Sequence, residues 1–139
     1  MGKIIIIKGA DFSANAVDTV NPLQEIDFSE LELTPFYPNS SQNTWSNKGD
    51  SYLIPVSIGD TFIINGNGVN NAGYCLINLP EQPSQGASIS YAEGETAHTV
   101  AQDDTNVEIE VPADCSYLCI TNMVNNVSHL CGSLYKKIL

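Results

Sequence analysis

Short runs of alternating or β-branched residues recur along this chain, and each is closed within a few positions by Gly, Pro, Asn or Asp. Residues 3–8 hold four isoleucines between two lysines. Tyr52, Ile54 and Val56 fall at every second position, and 61–65, 74–78 and 87–91 are further short apolar runs. Val107, Ile109 and Val111 alternate with Glu108 and Glu110, which predicts a half-buried strand with an acidic outer face. Residues 116–121 follow, and a last strand falls within 130–138. Within 23–33, Ile26 and Phe28 are out of phase with Leu31 and Leu33, so a bulge or bend separates two short strands. Only 13–20 has room for a helix, of about two turns, and its pattern is poor.

Eight or nine short strands with turn signals every 8–15 residues predict an all-β fold. The expected architecture is a two-sheet antiparallel β-sandwich of jelly-roll type, with a barrel as the alternative. The chain, 1–139, reads as one domain, because it contains no repeat, linker or low-complexity tract. Pro55 points to an edge strand. The stretch Asn65-Gly66-Asn67-Gly68 reads as a hairpin or loop leading to 74–78. The strands at 3–8 and 135–139 are natural partners, and their pairing would gather most of the lysines at one protective edge.

Charge narrows the function classes. The chain has five lysines, no arginine and 16 acidic residues, for a formal net charge of -11. It lacks the guanidinium fork and the cation density that a phosphate backbone requires, so nucleic acid is excluded as a partner. Anionic lipid is disfavoured for the same reason. No run approaches the length of a membrane span, and Ile4 to Ile7 is too short for a signal-peptide core. The chain therefore reads as a mature domain or as one that never carried a leader, with no membrane insertion.

Three stretches carry a family resemblance. Residues 51–61, Ser-Tyr-Leu-Ile-Pro-Val-Ser-Ile-Gly-Asp-Thr, form a strand-turn-strand; 111–118, Val-Pro-Ala-Asp-Cys-Ser-Tyr-Leu, lead into a later strand; and 8–13, Lys-Gly-Ala-Asp-Phe-Ser, form a leader. Together they resemble jelly-roll β-sandwich binding modules of gut Bacteroidetes surface proteins and phage tail fibres. The resemblance implies adhesion or glycan contact in an extracellular, cell-surface or virion-associated setting. Those modules have no invariant catalytic set, so no residue role carries over. The four cysteines and the long insert at 34–50 depart from the pattern.

Catalytic patterns are missing. His98 and His129 are the only candidate bases, no G-x-S-x-G elbow occurs, and the residues three before each histidine are Glu95 and Asn126. His98 lies among threonines and is expected in solvent. The chain is therefore expected not to be an enzyme and to need no cofactor. Asp103, Asp104 and Asn106 offer hard oxygen ligands of the kind calcium takes, but they equally suit a solvated turn. Cys75, Cys115, Cys119 and Cys131 contain no C-x-x-C pair and read first as small buried hydrophobes. Bridges to Cys75 or Cys131 remain open, as does a zinc set with His129. Cys115 and Cys119, four apart in a strand, are expected on one face.

Residues 34–50 form the most distinctive segment, seventeen positions without strand periodicity, carrying the sole Trp, two other aromatics and several amides. Flat rings and amides are the groups that recognise sugars. Trp45, Tyr37, Asn43 and Asn47 are therefore the expected ligand-binding residues, with a satellite core around Phe36 and Trp45 as the competing arrangement. The expected role is a noncatalytic binding or adhesion module. The absence of arginine favours neutral over acidic glycans as its partner. The alternative is an assembly module that binds other protein chains or forms a homo-oligomer.

Overall fold

The computed structural model describes residues 3–7, 19–79, 83–122 and 132–138. These form β1 (Lys3–Ile7), β2 (Thr19–Glu25), β3 (Glu32–Thr34), β4 (Tyr37–Asn39), β5 (Thr44–Ser46) and β6 (Asp50–Pro55) in the first part of the chain. β7 (Thr61–Asn65), β8 (Ala72–Ile77), β9 (His98–Val100), β10 (Val107–Glu110), β11 (Tyr117–Asn122) and β12 (Ser133–Lys137) follow. A 3-10 turn at Phe28–Glu30, capped by the Asp27 carboxylate, separates β2 from β3. It supplies the change of phase seen between Phe28 and Leu31.

The first sheet has the order β1-β2-β12-β7-β10 and the second the order β3-β6-β11-β8-β9, while β4 and β5 form a separate hairpin. The fold is an antiparallel two-sheet sandwich with one parallel pair, β1 on β2. The alternating strands meet in its middle. Phe62, Ile64, Ile109 and Leu134 of the first sheet pack with Ile54, Tyr74, Leu76, Val100, Leu118 and Ile120 of the second. Each such side chain contributes roughly 1.5–3 kcal/mol through burial. Glu108 and Glu110 are exposed while Ile109 is buried, as the alternation predicted.

The second sheet is unusual in having both faces covered. Its outer face carries Leu53, Cys75, Ile77 and Cys119, which pack with Trp45 and Ile89 in a second cluster. This explains the near-continuous burial along β8 and β11, since a strand covered on both faces loses its polar alternation.

Several expectations from the sequence are corrected. The strands near the two ends are not neighbours: β2 lies between β1 and β12. Lys136 and Lys137 thus sit in an interior strand, near Asp60 at 3.5 Å and Glu108 at 3.1 Å. β6 is not an edge strand. Its partner β3 covers only Ser51 to Leu53, so Pro55 projects past it where no ladder bond is needed. Of the two expectations for residues 65–71, the loop holds and the hairpin does not, since they connect the two sheets. Within 87–91 only isolated bridges form, Thr44 to Ser88 and Ile77 to Tyr91.

Cys115 and Cys119 do not share a face. Ser116 donates to the Ile77 carbonyl, which also faces Tyr117, so an extra residue resets the phase ahead of β11. Cys115 packs against the inter-sheet core and Cys119 against the outer one. The helix expected at 13–20 falls mostly outside the described residues, and Thr19 and Val20 begin β2. Among the described residues, no helix is long and apolar enough to cross a membrane.

Candidate ligand-binding cleft

The aromatic segment is a hairpin. β4 and β5 pair through Tyr37 to Ser46, Pro38 to Trp45 and Asn39 to Thr44. Its turn is built by side chains: Asn39 Oδ1 accepts from the Ser41 N–H at 3.1 Å and from its hydroxyl at 2.9 Å. Asn43 takes a φ of 54°, a left-handed conformation that asparagine tolerates better than most residues. A second segment then fastens the hairpin to β8. The Trp45 N–H donates to the Ala87 carbonyl, and Ile89 donates to Asn43. Farther along the same segment, Asn78 donates to Ser90 and Ala92 to Leu76.

This arrangement decides the fate of the four residues expected to bind ligand. Trp45 is 2% exposed and packs among Leu53, Cys75, Ile77, Ile89 and Cys119. Its indole closes the outer core and turns no face to solvent, so the stacking role expected of it is withdrawn. Asn43 is exposed, with Oδ1 accepting from the Tyr91 hydroxyl at 2.8 Å. Asn47 is exposed, and its backbone N–H donates to Gln85 Oε1 at 2.6 Å. Both asparagines therefore engage the 85–91 segment. Tyr37, half-buried, is the one member that lines a cleft.

That cleft, of about 400 Å³, lies between the hairpin and the open end of the second sheet. Tyr37, Pro38, Asn39, Ser40 and Ser41 form one wall. Asn71, Gly73, Ala97, His98, Thr99 and Thr121 form the floor and the other wall. The floor belongs to a row of small and hydroxyl residues running across the sheet. Thr34 pairs with Ser51, Ser51 with Thr121, and Gly73 with Thr99. Thr34 and Ser51, covered deeper in the structure, have hydroxyls with no hydrogen-bond partner.

Gly73 is the informative member of this row. A Cβ added there would meet the Thr121 side chain, with its hydroxyl at 3.3 Å having to yield by a few tenths of an ångström, and no backbone closer than the His98 carbonyl at 3.9 Å. Packing does not exclude a side chain, and φ is not positive. Gly66 and Gly132 differ: a Cβ on either would strike backbone, the Ala101 and Gln102 carbonyls in one case and the Gly66 carbonyl in the other. A strand glycine without such a packing reason fits a place where a ligand approaches the sheet.

His98 is a strand residue and not a loop residue, with a side chain that is partly exposed, as expected. It lies on β9, stacks on Tyr74 with ring centroids 4.8 Å apart, and places Nε2 3.1 Å from Glu95 Oε1. Burial, and then the negative Glu95, push the Tyr74 phenol above its ordinary pKa. Among the described residues no Ser, Thr or Cys hydrogen-bonds to the His98 ring, so the geometry assembles no nucleophile and base.

The other candidate chemistry disperses. Asp104 Oδ2 accepts from the Ala101 N–H at 2.8 Å and closes a turn, and the Asn106 N–H donates to Asn65 at 2.7 Å. Among the described residues no group of three His, Cys, Asp or Glu is placed to hold a metal. Cys75 and Cys119 lie opposite each other on β8 and β11 as buried free thiols. A hydrogen bond that the Cys75 thiol donates to Cys119, together with burial, holds the Cys75 thiol well above its ordinary value. His129 and Cys131, proposed zinc partners, lie outside the described residues. Among the described residues, a larger hollow of about 680 Å³ is lined by the consecutive residues 24–31, which carry Glu25, Asp27 and Glu30.

Comparison with protein-family models, with curated proteins and with solved structures finds no match. The case for function rests on the cleft.

Sequence reasoning reached Tyr37 through its aromatic segment but missed the opposite wall. Gly73 stands just before the expected run at 74–78 and reads from the sequence as a turn residue, whereas β8 begins at Ala72 and includes it. Asn71, Thr99 and Thr121 gave no local signal, because β9 and the end of β11 reach the cleft through long-range pairing.

Proposed function

We propose that this chain is a noncatalytic binding module, a sandwich of jelly-roll type that holds neutral glycans between the β4–β5 hairpin and the β8–β9 edge. One observation carries the reading. In a chain of net charge -11, no Asp, Glu or Lys among the described residues lines this cleft, which instead presents hydroxyls, amides, two phenols and an imidazole. Polyhydroxylated neutral ligands use such groups as donors and acceptors together. The surrounding negative charge would disfavour acidic sugars and phosphates. A cell surface or a virion is the setting proposed for such a module.

A neutral-glycan array followed by calorimetry tests this. Wild type retains neutral oligosaccharides, and Gly73→Val, which fills the floor while keeping a residue suited to strands, weakens them by at least about tenfold. An empty array, or unchanged affinity in a folded Gly73→Val protein, overturns the proposal. The assembly reading draws on β1, which has a strand on one side only among the described residues. Light scattering that finds a stable oligomer together with an empty array would favour it.

A further inference from the structure

The two asparagines of the cleft have their oxygens already engaged. On the hairpin wall, Asn39 Oδ1 accepts twice from Ser41, from the N–H at 3.1 Å and from the hydroxyl at 2.9 Å. On the opposite wall, Asn71 Oδ1 accepts from the Gln102 backbone N–H at 3.3 Å. These bonds fix which end of each amide is which, since an amide turned the other way would set NH2 against N–H. Each asparagine therefore has its Nδ2 group to offer a ligand, and Nδ2 can only donate. An ordinary sugar-binding amide serves hydroxyls in both senses. Here the Asn39 oxygen has both acceptor sites filled and the Asn71 oxygen has one, so donation from Nδ2 is the capacity that both amides, on two separate elements, keep in full.

Resting on the neutral-glycan reading above, we infer that the cleft selects sugars bearing an acetamido group, with Asn39 and Asn71 as the specificity-determining residues. An acetamido carbonyl accepts hydrogen bonds and brings no hydrogen of its own to that oxygen. A hydroxyl meeting the same donor must still place its proton on another acceptor. The acetamido methyl needs a small apolar seat, and Pro38, Ala97 and the bare backbone of Gly73 line this cleft. The hydroxyls of Ser40, Thr99 and Thr121 remain for the ring hydroxyls, which they can meet as donors or acceptors. Gly73 thus has a definite task, leaving room above the sheet for a group wider than a hydroxyl.

Calorimetric titration with two disaccharides of matched linkage, N,N′-diacetylchitobiose and cellobiose, separates the possibilities. Wild type is expected to bind the acetylated sugar about tenfold more tightly. Asn39→Asp keeps an oxygen for Ser41 but removes the donor, and the acetylated sugar then falls to about the level of cellobiose. Asn71→Asp does the same from the other wall and serves if the hairpin variant fails to fold, as judged by circular dichroism. Equal affinity of wild type for the two sugars overturns this inference and leaves the glycan reading standing. A preference that survives in both folded variants also overturns it. Binding of neither disaccharide while other neutral glycans bind on the array overturns it too, whereas an empty array removes the underlying reading.

Discussion

On one face of the second sheet, Ile54, Leu118 and Ile120 meet strands of the first sheet; on the other, Leu53, Cys75 and Cys119 meet Trp45, Ile89 and their flanks. Both faces are buried, but the first is covered by regular strands and the second by a three-residue-strand hairpin and the 83–91 segment. Regular pairing covers its face with apolar side chains, Phe62, Ile64, Ile109 and Leu134 among them. The irregular cover reaches only part of its face, and where it stops the hydroxyl row and Gly73 are left as the floor of a cleft. A cover that is incomplete by construction can therefore create a site without any strand being modified for it.

The comparison can be broken most severely at the inter-sheet core. Leu118→Ala leaves a cavity at a residue with no exposed surface, and a loss of about 4 kcal/mol in denaturant unfolding is expected, enough to threaten the fold. Trp45→Ala should cost less, about 3 kcal/mol, because the outer layer can open without separating the two sheets. Hydrogen exchange would show this as lost protection at Trp45, Gly86 and Ile89, with β7 and β11 still protected. Loss of protection throughout would mean that the two cores fold as one.

A smaller change of opposite sign is expected at Ser51, whose fully buried hydroxyl has no partner. Ser51→Ala removes that group and should stabilise the protein by about 1 kcal/mol in thermal or urea unfolding. A lower melting temperature would show that the hydroxyl is satisfied in solution. The smallest effect at neutral pH belongs to the thiols. Cys75 is held above the ordinary thiol value of 9.0 by the Cys119 hydrogen bond and by burial, so the folded chain keeps a proton that the unfolded chain releases. Its stabilising contribution is complete below pH 9.0 and is lost as pH rises toward the folded value. Tyr74 and Tyr91, raised from 10.0 chiefly by burial, extend the decline. Melting temperatures followed upward from neutral pH should fall past 9.0, and Cys75→Ala should flatten the first part of that fall.

The two coverings also differ in how far the sequence revealed them. β7 coincides with the apolar run at 61–65, though its burial is continuous from Phe62 to Ile64, and the alternation at Val107 to Val111 correctly placed Ile109 inward, because a strand covered on one face keeps a period of two. β4, β5 and β9 have three residues each, too few to display a period. The inward turn of Trp45 depends on its bonds to Ala87 and Gly86, some forty residues away, which no local pattern encodes. The same distance hid most of the cleft. Tyr37 stood in a segment conspicuous for its aromatics, whereas Gly73 and Thr121 meet only once β8 and β11 have paired.

The position of β12 between β2 and β7 has a consequence for how the protein is made. While the ribosome is still translating the middle of the chain, β2 and β7 have no neighbour to join them, although the second sheet already has every strand once residue 122 has emerged. The nascent chain would thus carry a second sheet with all its strands while the first sheet, which covers its inner face, still waits for residues 133–137. During that interval Leu118 and Ile120 need shelter from other chains.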